Sequence, residues 1–170
     1  YAFMKMLLGA LGYDAKVEGY TGPNWSVNVA KRALNIGLAD DLIGDFNGVK
    51  AVNREEACLY ALNTLTADMV EYDAKTSVST NGTTVVIAGS KVKEMVNNGN
   101  TDGKIFTKDG VMQFAEKYFD NLTVKTGSDD FSRPANVWKV KAEEIGTYTH
   151  TPDATYTKKV EVGDIYKDLG

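Results

Sequence analysis

One cysteine and one histidine stand in 170 residues, and each scarcity excludes a class of chemistry. Cys58 alone rules out an intrachain disulfide framework. Cys58 and His150 together cannot build a conventional zinc cluster. A Ser-His-Asp triad would have to use His150, beside Thr151-Pro152, and no Gly-x-Ser-x-Gly elbow accompanies it. No glycine-rich phosphate loop is present. Arginine is scarce as well, limited to Arg32, Arg54 and Arg133, and the net charge of −4 with a pI near 5.1 leaves no electrostatic footprint for nucleic acid. The longest apolar run, near the start, is interrupted by Lys5 and is too short to cross a bilayer, so neither a signal peptide nor a membrane span is expected.

What remains is a globular composition, 43% hydrophobic and 25% charged, long enough for one domain or two small ones. The chain opens without Met and already inside a helical pattern. It therefore reads as an excerpt of a longer protein, with any export signal upstream. Phe3, Met6, Leu7, Ala10 and Leu11 share one predicted helical face, with Gly12 as its stop. A turn-rich connection, 13–22, follows.

The most informative stretch is 22–72. Pro23 and Asn24 precede a helix carrying Trp25, Val29, Ala33 and Leu34 on one side, and Gly37 is placed to end it. A polar loop with Phe46 and Gly48 leads to Asn53, a good N-cap, and Glu56 three residues later completes a capping-box pattern. Cys58, Ala61, Leu62, Leu65 and Met69 form the predicted buried stripe of the next helix, with Cys58 as a small buried hydrophobe. Arg54 falls outside that stripe at the first helical position. The loop acids Asp40, Asp41 and Asp45 with Asn47-Gly48 suggest calcium, but the EF-hand register puts Ile43 and Arg54 at ligand positions one and twelve, so that motif fails.

This order of Trp25, Ala30, Ala33, Gly37-Leu38, Phe46, Gly48, then Arg54, Glu56 and Ala57 resembles the S-layer homology (SLH) domain of bacterial surface-layer and cell-envelope proteins. The match covers about a third of the chain, with residues 1–12 resembling the tail of a preceding repeat. Asn53 and Glu55 replace the threonine and alanine of the family's Thr-Arg-Ala-Glu motif, which puts an extra negative charge beside Arg54. The resemblance implies non-catalytic binding of secondary cell-wall polysaccharide, often pyruvylated, with Arg54 in the anion-gripping role and Trp25 and Gly48 lining the groove. No cofactor and no metal are expected, the acidic loop over 39–52 reading as a solvated turn rather than a calcium site. The resemblance also implies an extracellular setting in the cell wall or S-layer of a Gram-positive bacterium, with other segments or copies of the parent protein as further partners. From the residues alone, Arg54 can equally be a surface arginine paired weakly with Glu55 or a bidentate donor to a carboxylate.

Beyond Tyr72 the character changes. Asn81-Gly82 between β-prone runs in 76–88 predicts a hairpin. Val111, Phe114, Ala115, Tyr118, Phe119 and Leu122 form an apolar stripe, with Gln113, Glu116, Lys117 and Asp120 facing away, which predicts one amphipathic helix. Strands are predicted at 137–141, 145–149 and 156–162, Gly163 ending the last, with a helical turn over 164–169. Asp129-Asp130 and Glu143-Glu144 are acidic pairs, but neighbours on a strand point to opposite faces and do not converge as a glycosidase pair. Trp25 and Trp138 are candidate sugar platforms or partly buried core residues.

The expected architecture is α+β. An SLH-like helical region spans 1–72 (partial repeat 1–12, fuller repeat 22–72), and a small, mainly antiparallel module with one amphipathic helix spans 73–170. Attachment to cell-wall glycan leads the functional expectations. A structural or adhesive surface module with a protein partner, or an ancillary module of a cell-wall or polysaccharide-degrading enzyme, are the alternatives.

Overall fold

A computed structural model describes residues 1–73, 76–80, 83–87, 91–149 and 161–169. The fold is α+β, with helices first and strands later. Three helices, α1 (Ala2–Ala10), α2 (Trp25–Asn35) and α3 (Arg54–Thr66), precede the strands β1 (Val70–Tyr72), β2 (Thr76–Thr80), β3 (Thr83–Ile87) and β4 (Val92–Glu94). A short helix α4 (Phe114–Tyr118) leads into β5 (Leu122–Ser128), β6 (Pro134–Val140) and β7 (Glu143–Thr149), and α5 (Val162–Leu169) follows.

Every described strand pairing is antiparallel: β1 with β4, β2 with β3, and β5–β6–β7 as a three-stranded sheet with a register shift between Trp138 and Lys139. The hairpin expected over 76–88 is present as β2 and β3, while its Asn81-Gly82 turn lies outside the described residues. So does most of the strand expected over 156–162. At its far end Val162 opens α5 and Gly163 lies inside that helix rather than ending a strand.

Of the three N-terminal helices, α2 buries most of the face that the apolar spacing indicated, whereas α1 and α3 bury partly different ones. α1 turns Met4, Leu8 and Leu11 inward and leaves Met6 69% exposed and Ala10 exposed. The helix is apolar nearly all round, so periodicity does not single out one face. α2 buries Val29 and Ala33 but not Leu34. α3 buries Glu56, Tyr60 and Thr64, while Cys58 and Ala61 face solvent, against the expectation of a buried cysteine. The reason is that α3 is two-sided. Tyr60 belongs to the helical core, and Leu62 and Leu65 pack on a second cluster of Ile105, Ala115, Leu122, Val124 and Trp138. The buried Thr64 hydroxyl is satisfied by the Tyr60 carbonyl at 2.7 Å.

The predicted helix over 111–122 shrinks to α4. Val111 pairs with Val96 in an isolated bridge, and Leu122 opens β5. Gln113 and Glu116 are buried and Tyr118 and Phe119 exposed, against expectation, whereas Ala115 and Leu122 are buried and Lys117 and Asp120 exposed as predicted. Glu116, 1% exposed, accepts from Asn97 Nδ2 at 2.6 Å, Gly103 N at 2.9 Å and Ile105 N at 3.2 Å. These bonds offset the cost of burying a carboxylate.

Three methionines close the middle of the molecule. Met69 N donates to Met112 O, Met112 N to Met95 O, and Met95 N to Met69 O, each at 2.8 Å. Their neighbours pair in turn, Val70 with Glu94, Val96 with Val111, and Asp68 with Gln113. The helical core accordingly includes Met69 and Val70 and packs Val92, Met95, Met112 and Phe114 against them. Val70 N also donates to Leu11 O at 2.9 Å, which seats this junction on the end of α1.

Gly12 makes that seating possible. Its φ is +104°, and a Cβ there would lie 2.2 Å from the Val70 carbonyl oxygen. Gly12→Ala should therefore cost roughly 2–5 kcal/mol, from left-handed backbone strain and a backbone clash together. Gly9→Ala, on the same helix but with nothing within 4 Å of the new Cβ, should be neutral or stabilise by up to about 1 kcal/mol. Urea denaturation midpoints of the two variants check both signs.

Candidate functional site

The α2–α3 unit is held by its caps. Leu38 N donates to Ala33 O at 2.9 Å and Gly37 N to Leu34 O at 3.2 Å, a Schellman closure with Gly37 at φ +74°. Asn63 Nδ2 on α3 then takes the Leu38 and Asp40 carbonyls at 3.3 and 2.9 Å, tying the turn after α2 to α3. At the start of α3 the capping box is complete: Glu56 N donates to Asn53 Oδ1 at 2.8 Å, and Asn53 N to Glu56 Oε2 at 3.0 Å. Lys50 Nζ reaches Glu56 Oε1 at 2.6 Å. The Lys50 ammonium, followed by the Asn53 N–H, holds the Glu56 carboxyl below the usual range.

Arg54 sits at the first position of this capped helix with its side chain exposed. Among the described residues it has no hydrogen-bond or ion-pair partner, so the weak pair with Glu55 is not formed. Trp25 and Gly48 are brought together around Tyr1. The Tyr1 ring meets Trp25 edge-on at 6.3 Å and Phe46 at 6.0 Å, and Phe46 meets Tyr60 at 6.4 Å. The Tyr1 nitrogen donates to the Gly48 carbonyl. A Cβ on Gly48 would fall 2.3 Å from a Tyr1 ring carbon, so close aromatic packing is what requires glycine there. Trp138 is 8% exposed and belongs to the second core, which answers for it the choice between platform and core residue.

Four of the clefts on the described surface bear on these residues. One, of about 590 Å³, lies between the ends of α2 and α3 and the β6 face; its charged lining comprises Arg32 and the acids Asp40, Asp41, Asp68 and Glu94. A second, of about 650 Å³, runs along α1 beside Trp25. A third, of about 700 Å³, follows the outer face of α3 past Leu42, Ile43, Cys58 and Leu59 and carries Asp41, Glu55 and Glu56 against Lys50. A fourth, of about 730 Å³, lies by Glu18, Lys31 and Arg32. Arg54 lines none of these four, and Trp25 lines the second alone.

The Glu18–Arg32 wall of the fourth cleft is fixed by a network that sequence spacing did not indicate. Tyr72 Oη donates to Glu18 Oε1 at 2.9 Å and accepts from Asp14 N at 3.0 Å, and Arg32 Nη2 donates to Glu18 Oε2 at 3.1 Å. The Arg32 guanidinium also lies 5.2 Å from the Tyr13 ring centre. The Tyr20 hydroxyl is buried without a well-formed hydrogen bond among the described residues. Burial, then the Glu18 charge, pushes its pKa up to about 12 against the opposing pull of Arg32. Burial raises Tyr72 and Tyr13 as well. These contacts join residues 14, 18, 32 and 72, which no local pattern links.

No protein-family model matches this chain, and neither the curated proteins nor the solved structures give a match.

Removing the Asn53 cap by Asn53→Ala should cost about 1 kcal/mol and fray the turn that carries Arg54. Because the folded Glu56 pKa is depressed, its contribution is present above the unfolded carboxylate pKa and is lost as pH falls through the folded value. Wild type should therefore be more stable than Glu56→Gln at pH 7, with the gap closing in the acid range. Thermal melts from pH 7 down to pH 3 read this directly.

Proposed function

We propose that this chain is a non-catalytic segment of an exported bacterial surface protein, and that its SLH-like unit attaches to cell-wall polysaccharide. The observation that carries the proposal is the state of Arg54. It stands exposed on the first turn of a fully capped helix, with no carboxylate partner among the described residues. A guanidinium held in this way is available for bidentate recognition of an acidic sugar substituent. Trp25 lines the cleft along α1 in the same helical unit, which supports a glycan-facing role there, whereas Gly48 is packed against the Tyr1 ring. No helix among the described residues is long and apolar enough to cross a membrane. On this proposal the protein acts outside the cell, in the wall of a Gram-positive bacterium, alongside other segments or copies of its parent.

A structural or adhesive role with a protein partner is the second reading. It is favoured by exposed apolar residues beside the α3 cleft, where Ile43 is 89% and Val49 82% exposed.

The deciding experiment is sedimentation with purified Gram-positive sacculi, half of them acid-stripped of secondary polysaccharide. Wild type should bind untreated sacculi. Binding should be lost on stripped sacculi and should fall at least about tenfold for Arg54→Ala, the loss of one charge-assisted contact. Equal binding to stripped and untreated sacculi would overturn the glycan proposal in favour of the second reading.

A further inference from the structure

We propose that the cleft between the ends of α2 and α3 and the β6 face binds a peptide segment through an arginine side chain. The cleft includes neither Arg54 nor Trp25 in its lining, and its occupancy does not depend on polysaccharide attachment.

Four carboxylates, those of Asp40, Asp41, Asp68 and Glu94, line this cleft of about 590 Å³ against one guanidinium, that of Arg32. The guanidinium is already engaged: Arg32 Nη2 donates to Glu18 Oε2 at 3.1 Å and the group lies 5.2 Å from the Tyr13 ring centre. The Asp40 and Glu94 carboxylates have no hydrogen-bond or ion-pair partner among the described residues. These two acids come from distant parts of the chain, the turn after α2 and the strand β4, and only the tertiary fold sets them on one cleft. Their seating is close. A Cβ on Gly37 would fall 2.6 Å from Asp40 Oδ2, and Glu94 is paired with Val70, itself a lining residue. A cleft lined by one sign of charge concentrates ligands of the other.

An acidic lining alone would accept any cation, and Trp138 narrows the choice. It lines the cleft, is 8% exposed, and its indole N–H is buried with no acceptor among the described residues. Leaving a buried donor unpaired is costly, and a ligand entering the cleft can supply the acceptor. A protonated polyamine has donors only and leaves that N–H unmet. No group of three or more acidic, histidine or cysteine side chains among the described residues is placed to hold a metal ion. An arginine within a peptide answers both demands, with its guanidinium for the carboxylates and a backbone carbonyl for the indole N–H. Tyr13, Phe106 and Trp138 put aromatic rings in the same lining, on which a flat guanidinium packs well. The volume is within the usual range of small-ligand sites.

The test is a proton–nitrogen NMR titration of the full chain, read at the indole N–H signals, with Trp25→Phe assigning that of Trp138. The probes are acetyl-Gly-Arg-Gly-amide, its glutamine counterpart and spermidine. The arginine peptide should shift the Trp138 signal by about 1 mM, and the glutamine peptide should bind at least about tenfold more weakly. Spermidine should leave the Trp138 signal in place. Asp40→Asn and Glu94→Gln should each weaken the arginine peptide by about tenfold, with melting transitions like that of wild type. Glu55→Gln, which removes a carboxylate outside this cleft, should bind as wild type does. A Trp138 signal unmoved by the arginine peptide would overturn the site. Equal weakening by all three substitutions would overturn it too, leaving only general attraction to an acidic chain. Spermidine shifting the Trp138 signal as strongly as the peptide would overturn the peptide assignment. Sacculus binding by Asp40→Asn and Glu94→Gln should match wild type, so the cleft and polysaccharide attachment stand or fall separately.

Discussion

The backbone ring of Met69, Met95 and Met112 is the constraint on which the rest of the structure depends. Three segments meet, and each donates to one neighbour and accepts from the other, so the pairing closes on itself, with β1 and β4 continuing from it as a two-stranded sheet. A closed ring leaves none of the three central N–H groups unpaired in the interior, where an unmet donor would cost on the order of 1–3 kcal/mol. It also fixes where everything else attaches. Through Val70 and Leu11 it seats on α1, and through Phe114 N to Ala67 O, at 3.0 Å, it takes up the end of α3. Methionine suits such a place, because an unbranched, flexible side chain fills the irregular space around a three-way junction.

α3 transmits this constraint to both halves of the chain. Its Tyr60 lies among the buried residues of α1 and α2, while Leu62 and Leu65 cover the cluster built on β5 and β6. Behind that cluster the Glu116 carboxylate gathers Asn97, Gly103 and Ile105, fixing the loop that precedes α4. A buried acid with three donors specifies geometry more than it adds stability, since an apolar side chain of similar size would escape the desolvation cost altogether. The consequence for function is positional. The capped start of α3 that presents Arg54, and the wall of the fourth cleft that holds Glu18 and Arg32 beside Tyr72, are both anchored to elements held by the ring.

Where sequence spacing was informative, it was because the governing interaction is local. The Asn53–Glu56 box and the Gly37 stop each involve residues three to five apart, and both have the predicted geometry. The hairpin strands at 76–80 and 83–87 and the strand β6 likewise follow from short-range pattern. Spacing failed where two partners compete for one helix. The α3 stripe through Cys58 and Ala61 assumes a single core, but the helix serves two, so it is rotated and Cys58 is exposed. The run 111–122 has an ideal helical period, yet Val111 and Leu122 are taken by strand partners and only five residues remain helical. Its Glu116, read as solvent-facing because it is charged, is instead drawn inward by donors up to 19 positions away in the chain.

By itself, the sequence determined the α+β class, the order of helices before strands, the caps of α2 and α3, and the exposure of Arg54 at a helix start. Each follows from contacts within a few residues, where backbone geometry and side-chain reach leave little freedom. Only the tertiary structure decided which faces are buried and that Trp25 belongs with Tyr1 and Lys5 while Trp138 belongs in a core. It alone decided, too, that three methionines 26 and 17 residues apart close a ring. Those outcomes depend on which distant backbone groups find one another, and periodicity along the chain carries no record of that choice.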